Sequence, residues 1–309
     1  MNYSKKRKLQ KEKIIMQSKE KRNILEILLC IIIPIGAYLL LYAANFLVQN
    51  IAYIIICANL PQKANVYEFQ KEAMRIFMSH TSLLYILASI LFLLVLLLIY
   101  KTTKLIQFSG IQKRKLPQNG VMNIIAVGLI LGVLLNVLLN VMENIIPAEW
   151  LKANQESVGA FQGEHILITL CAVSVFAPIV EEHLFRGFLY NCMKKLTGQI
   201  WISSIITSVL FGVYHGNILQ AIYAGALSFI MIWFYEKSQS LAASIIFHGA
   251  VNASSMFAVV LMFYNMEIAV LIICPIVGIF LMYMFSKKCK ERQIKDNEAL
   301  QPESSGGNQ

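Results

Sequence analysis

Charge is scarce in this chain. Only 14% of its 309 residues are Asp, Glu, Lys or Arg, 57% are hydrophobic, and the mean hydropathy is +0.62. An ordinary soluble domain is excluded, because several apolar runs of about 20 residues would be stranded in water; the composition is that of a polytopic membrane protein. Other absences narrow the reading further. Met1 to Arg22 lacks the short apolar core and small-residue cleavage site of a secretory signal. With nine Lys or Arg against two Glu, it reads as a retained cytoplasmic arm. The six cysteines (Cys30, Cys57, Cys171, Cys192, Cys274, Cys289) show neither paired nor metal-knuckle spacing, so no disulfide framework is expected. There is no His-Glu-x-x-His motif, no repeat with a period of about 20 to 50 residues, and only five histidines.

The formal net charge is +10. Much of the excess lies in the first 22 residues and in Lys287 to Lys295, where it serves orientation and contact with anionic lipid rather than nucleic acid. Between these ends the pattern predicts an all-α membrane protein with about eight transmembrane helices and an active site inside the bundle. The spans are expected near Ile27–Val48, Leu83–Tyr100, Val121–Val141, His165–Leu196, Trp201–Tyr214, Ile218–Tyr235, Leu241–Phe263 and Ile268–Phe285. An interfacial piece follows the first span, and Lys63 to His80 reads as an amphipathic surface segment. The second span, almost purely aliphatic, is expected to face lipid. Gly128 and Gly132 in the third carry the spacing of close helix approach. Glu143 to Glu164 reads as an acidic loop, and the segment after Lys287 as a charged and then disordered tail. An even count places both termini on one side, and every basic connection then falls in the cytoplasm. The chain divides into a basic arm (1–23), N-terminal helices and loops (24–164), a core (165–286) and a basic or polar tail (287–309).

Chemistry concentrates in Pro178 to Gly187, where four ionisable side chains interrupt apolar sequence. Each charge at membrane depth costs about 2.5–3.5 kcal/mol on insertion scales and therefore needs a partner or a wet cavity. Neighbouring helical residues are rotated by about 100°, so Glu181 and Glu182 cannot address the same partner. Glu182 and Arg186 stack four apart as a structural ion pair, which leaves Glu181 free to face a cavity. Phe211 and His215 repeat the spacing on one later helix, as do His248 and Asn252 on another. A carboxylate, two imidazoles and a carboxamide on neighbouring helices suit water activation. A glutamate serves as base with an imidazole sharing the water, while the other imidazole and the amide donate to an oxyanion. Glu181, His215 and His248 equally compose a zinc set, which would hold one divalent metal. Phe211 is read as packing around His215; Tyr214, Asn217 and Tyr223 lie where they could touch substrate.

The three pairs Glu181-Glu182-x-x-x-Arg186, Phe211-x-x-x-His215 and His248-x-x-x-Asn252 resemble the motifs of the CAAX prenyl endopeptidase and bacteriocin-processing (Abi) family of intramembrane proteases, over about Ile166 to Met256. The resemblance implies that Glu181 is the essential carboxylate, that His215 helps it activate water, and that His248 with Asn252 forms the oxyanion pocket. It implies an endopeptidase at the cell membrane acting on a membrane protein or a lipidated or hydrophobic peptide, by a metal-independent glutamate mechanism or a metal-dependent one. Two other classes stay open: a non-enzymatic immunity or peptide-binding factor using the same groove, and a proton-coupled transporter.

Overall fold

The computed structural model describes residues 3–61, 65–102, 116–117, 120–159 and 165–299, with side chains from Ile24 onward. The basic side chains of the arm, most of the Lys101 to Gly120 connection and the last ten residues lie outside the described residues. The described chain is helical throughout: α1 (Tyr3–Asn59), α2 (Val66–Met78), α3 (Thr81–Thr102), α4 (Gly120–Val141), α5 (Ala148–Gly159), α6 (Ile166–Thr197), α7 (Ile200–Tyr214), α8 (Ile218–Ser238), α9 (Leu241–Ala253), α10 (Ser255–Phe263) and α11 (Glu267–Ala299). Six of these (α1, α3, α4, α6, α8, α11) contain a stretch long and apolar enough to cross a membrane, and α7 and α9 are shorter apolar helices. The protein is an all-α, multi-pass membrane protein.

Four expectations are corrected. The first span and its interfacial piece form one helix, because Pro34 is accommodated inside α1 without a break. The acidic loop contains α5, which starts directly after Pro147, a residue suited to a helix start because its missing N–H is not needed there. The seventh expected span is interrupted at Ser254, so α9 and α10 are separate. The tail continues as helix to Ala299. In addition, α3 does not simply face lipid, since Ser82, Leu84, Ala88, Ser89, Phe92 and Leu96 are buried. The amphipathic reading of the segment before α3 agrees with α2, whose start is capped by Asn65 accepting from the Tyr67 N–H at 2.9 Å.

Short connections make α6 to α9 an antiparallel series. Gly198 (φ +66°) ends α6 and Gly216 (φ +77°) follows α7, both in the left-handed region that a glycine enters without Cβ strain. One end of the bundle collects the C-terminal ends of α6 and α8: Lys194 meets Glu236 at 2.7 Å. Pro117, Lys237, Cys289 and Arg292 line one small cavity there. The opposite end carries α5, which bonds α8 through Asn154 to Tyr223 (3.1 Å) and Ser157 to Asn217 (3.1 Å).

The Gly128 and Gly132 reading is borne out. A Cβ on Gly128 would meet the Phe247 carbonyl at 2.7 Å, and one on Gly132 would strike the Ser254 side chain and the Val251 carbonyl, so α4 lies backbone against α9. Gly132→Leu is expected to cost about 1–3 kcal/mol by overpacking, seen as a lower melting temperature in detergent. Gly36→Leu, where a Cβ meets nothing within 4 Å, should leave it unchanged.

Candidate active site

Two wide π-helical segments, Ala172–Phe176 and His183–Tyr190, flank the α-helical turn Ala177–Glu182 within α6. The first has a local cause. The Ala177 N–H bonds back to the Ala172 carbonyl, and Pro178 has no N–H, so the Val173 carbonyl loses its intrahelical donor. Asn252 of α9 replaces it, donating from Nδ2 at 2.7 Å. The same contact region has Gly249 against the Ser174 carbonyl, with no room for a side chain. Helix α9 is thus seated on α6 directly above the glutamate pair.

Glu182 and Arg186 are fully buried and joined at 2.8 Å. Arg186 also donates to the Ser228 hydroxyl (2.7 Å), approaches Met231 Sδ (3.2 Å), and lies 4.5 Å from the centre of the Phe211 ring. Phe211 therefore packs on the guanidinium as well as beside His215. The expected ion pair is present, but it does more than fix a helix. The same Glu182 Oε1 lies 3.0 Å from His248 Nδ1, across 66 residues of sequence. A carboxylate paired with arginine is an acceptor only, so His248 carries a hydrogen on Nδ1 and turns Nε2 elsewhere.

Nε2 faces Glu181 Oε2 at 3.8 Å. That gap is too long for a direct hydrogen bond, and a water bonded to both atoms can span it. Glu181 is 7% exposed, and its Oε2 has no hydrogen-bond partner among the described residues. His215 closes α7, with Nδ1 2.8 Å from the Phe211 carbonyl. A carbonyl only accepts, so the His215 hydrogen is on Nδ1 and the lone pair on Nε2. The Phe211 ring lies 4.9 Å from the His215 ring and 5.8 Å from that of His248, centre to centre. The structure thus brings Glu181, Glu182, Arg186 and His248 into one polar cluster and joins His215 to it through Phe211. Asn252 is held at its edge with one of its two amide hydrogens committed.

Sequence reasoning missed Tyr85 and Ser174 and gave Tyr214 a different place. Tyr85 of α3 and Tyr214 of α7 lie within electrostatic reach of Glu181, and Ser174 has a buried hydroxyl without a hydrogen-bond partner among the described residues. Tyr214 stood only as a substrate contact. Tyr85 sits on a helix whose aliphatic sequence points to lipid, and Ser174 belongs to no motif. Among the described residues no three His, Cys, Asp or Glu side chains converge closely enough to hold a metal. With Nδ1 of His248 turned to Glu182 and Nδ1 of His215 to a carbonyl, only Nε2 of each ring is left to take a ligand.

Residues 163–254 match the family described as Type II CAAX prenyl endopeptidase Rce1-like. The match covers under a third of the chain. The matched stretch holds all three polar pairs and ends two residues after Asn252. The chain is also similar to curated proteins. Over 79 residues (26% of this chain, 32% of the relative) the chain is 25% identical to "Putative membrane peptidase YdiL" of Bacillus subtilis strain 168. Over 88 residues (28% of this chain, 48% of the relative) it is 31% identical to "UPF0177 protein YxdF" of Lactococcus lactis subsp. lactis strain IL1403. Over 53 residues (17% of this chain, 24% of the relative) it is 34% identical to "Uncharacterized 24.3 kDa protein" of Escherichia coli. The chain therefore spans less than half the length of each of these relatives. No solved structure matches it.

Proposed function

We propose that this protein is an intramembrane endopeptidase that hydrolyses a peptide bond in a membrane-associated protein or peptide with water activated by Glu181. The observation that carries the proposal is the buried, unpartnered Glu181 Oε2 facing a histidine nitrogen whose ring is fixed by an Arg-backed carboxylate.

Charge balance assigns the roles. Two carboxylates and one guanidinium leave the buried cluster with one net negative charge, and a proton shared by Glu181 and His248 neutralises it. With that proton on His248 Nε2, Glu181 is the base. As Glu181 takes a proton from the bridging water, the water oxygen bonds to the scissile carbonyl carbon and the C=O π pair moves onto oxygen. His248 Nε2–H and the second Asn252 amide hydrogen donate to that oxyanion, and the His215 Nε2 lone pair accepts the remaining water hydrogen. When the tetrahedral intermediate collapses, Glu181 passes its proton to the departing nitrogen and the C–N bond breaks. Glu182 steadies the imidazolium through Nδ1, and Arg186 steadies Glu182. Both termini are assigned to the cytoplasm on the distribution of Lys and Arg.

The test compares new peptide termini in host membranes by mass spectrometry, with wild type and Glu181→Gln at matched levels. Termini found only with wild type are expected. If the two proteomes are identical while the host phenotype persists, the peptidase reading is wrong and the groove only binds.

A further inference from the structure

Helices α7 and α9 both start at the bundle end that carries Lys194 and Lys237, and α7 stops early. At about 1.5 Å per residue, its 15 residues reach roughly 22 Å, against a hydrocarbon core of about 30 Å. Its far end is therefore recessed by roughly 8 Å on the side of α5. His215 sits at that recessed end, and Asn252 lies near the end of α9, where the chain passes through Ser254 into α10.

Packing along α6 has the same polarity. From Glu182 to Cys192, on the side of Glu181 toward the basic end, most residues are buried, including Phe185, Arg186, Phe188 and Tyr190. From His165 to Val180, on the other side, only Ala172, Pro178 and Val180 are buried. Among the described residues, Ser174 Oγ and Glu181 Oε2 are buried without partners at and beyond the carboxylate toward that looser end, as Glu182 Oε2 and Tyr190 Oη are on the packed side. At the rim there, Asn217 donates to Ser157 and Tyr223 to Asn154.

We propose that the Glu181 cleft opens away from the basic end, toward the face covered by α5, and that the substrate is an exported or membrane-inserted peptide whose scissile bond lies in the extracytoplasmic half of the bilayer. With the Lys-rich end cytoplasmic, the dense Arg186 layer closes the site to lipidated proteins resting on the cytoplasmic surface. The substrate class rests on the peptidase reading; the polarity of the cleft does not.

The test uses single cysteines in the full chain, with its six native cysteines replaced, in intact cells and in inside-out vesicles. Ala177 precedes Glu181 by one helical turn on the open side, and Phe185 follows by one turn on the closed side. A membrane-impermeant cationic thiosulfonate should modify Ala177→Cys from outside intact cells, at least about tenfold faster than Phe185→Cys, as expected of a wet cavity. Asn217→Cys at the rim should be modified from outside and Gln239→Cys only in inside-out vesicles. Reversal of the Asn217 and Gln239 pattern overturns the orientation. Modification of Ala177→Cys only from inside, or from neither side while Asn217→Cys reacts, overturns the open cleft. Repeating the labelling with Glu181→Gln separates the two proposals: intact labelling without wild-type proteolysis sinks only the enzyme, and proteolysis without outside labelling sinks only the polarity.

Discussion

Glu181→Gln is expected to lower turnover by about 10²- to 10⁴-fold, the range assigned to a positioned general base, while leaving the fold as stable as wild type or slightly more so. The two halves of this expectation have separate causes. The amide keeps the size of the carboxylate but cannot take a proton from water, and the cluster's other carboxylate, Glu182, is held in its ion pair with Arg186. Stability is spared because Glu181 Oε2 makes no hydrogen bond to lose, and removing a buried charge lowers desolvation cost. Glu181→Asp separates basicity from position. It keeps the acid and withdraws it by about one methylene, a displacement of the order that costs about 10²-fold in a positioned site. Single-turnover cleavage of a peptide identified from the termini comparison, read beside thermal melts in detergent, checks both. Equal cleavage by wild type and Glu181→Gln would remove Glu181 from the chemistry.

Arg186→Met should be the most destabilising single substitution in the cluster. It strands the fully buried Glu182 carboxylate, and breaking a buried pair in this way costs about 3–5 kcal/mol. Adding Glu182→Gln should return most of that loss, because neither charge is then left alone and the cavity fills with groups of similar volume. Activity should not return with it. His248 Nδ1 would face a neutral amide, and the imidazolium that donates to the oxyanion would lose its counter-charge. Unfolding in mixed detergent micelles and cleavage rates for the four corners of the cycle give the two readouts. If the double variant recovers both stability and turnover, Glu182 only holds helices.

The fold was legible wherever apolar length and charge placement decide it. The eight apolar stretches appear as helices, and Gly128 and Gly132 mark a true close approach. What the sequence hid are contacts that periodicity cannot encode. Spacing of four explains Glu182 with Arg186, yet nothing local connects Glu182 to His248, so its second partner emerged only once α9 lay on α6. Asn252 reads as a free donor until Pro178 leaves a carbonyl in need of one. The break at Ser254 was masked by apolar residues continuing on both sides. Tyr85 was invisible because its helix is aliphatic enough to pass as lipid-facing, and one polar tip in such a run gives no pattern.

The shortness of α7 also bears on the lipid around it. A bilayer meeting a helix of about 22 Å must compress locally or expose polar surface, and compression costs fractions of a kcal/mol per Å. The annulus beside this helix is therefore the thinnest part of the membrane that touches the protein. There the hydrocarbon barrier to both water and a peptide backbone is lowest, and lipid elasticity itself shares in bringing the two to Glu181.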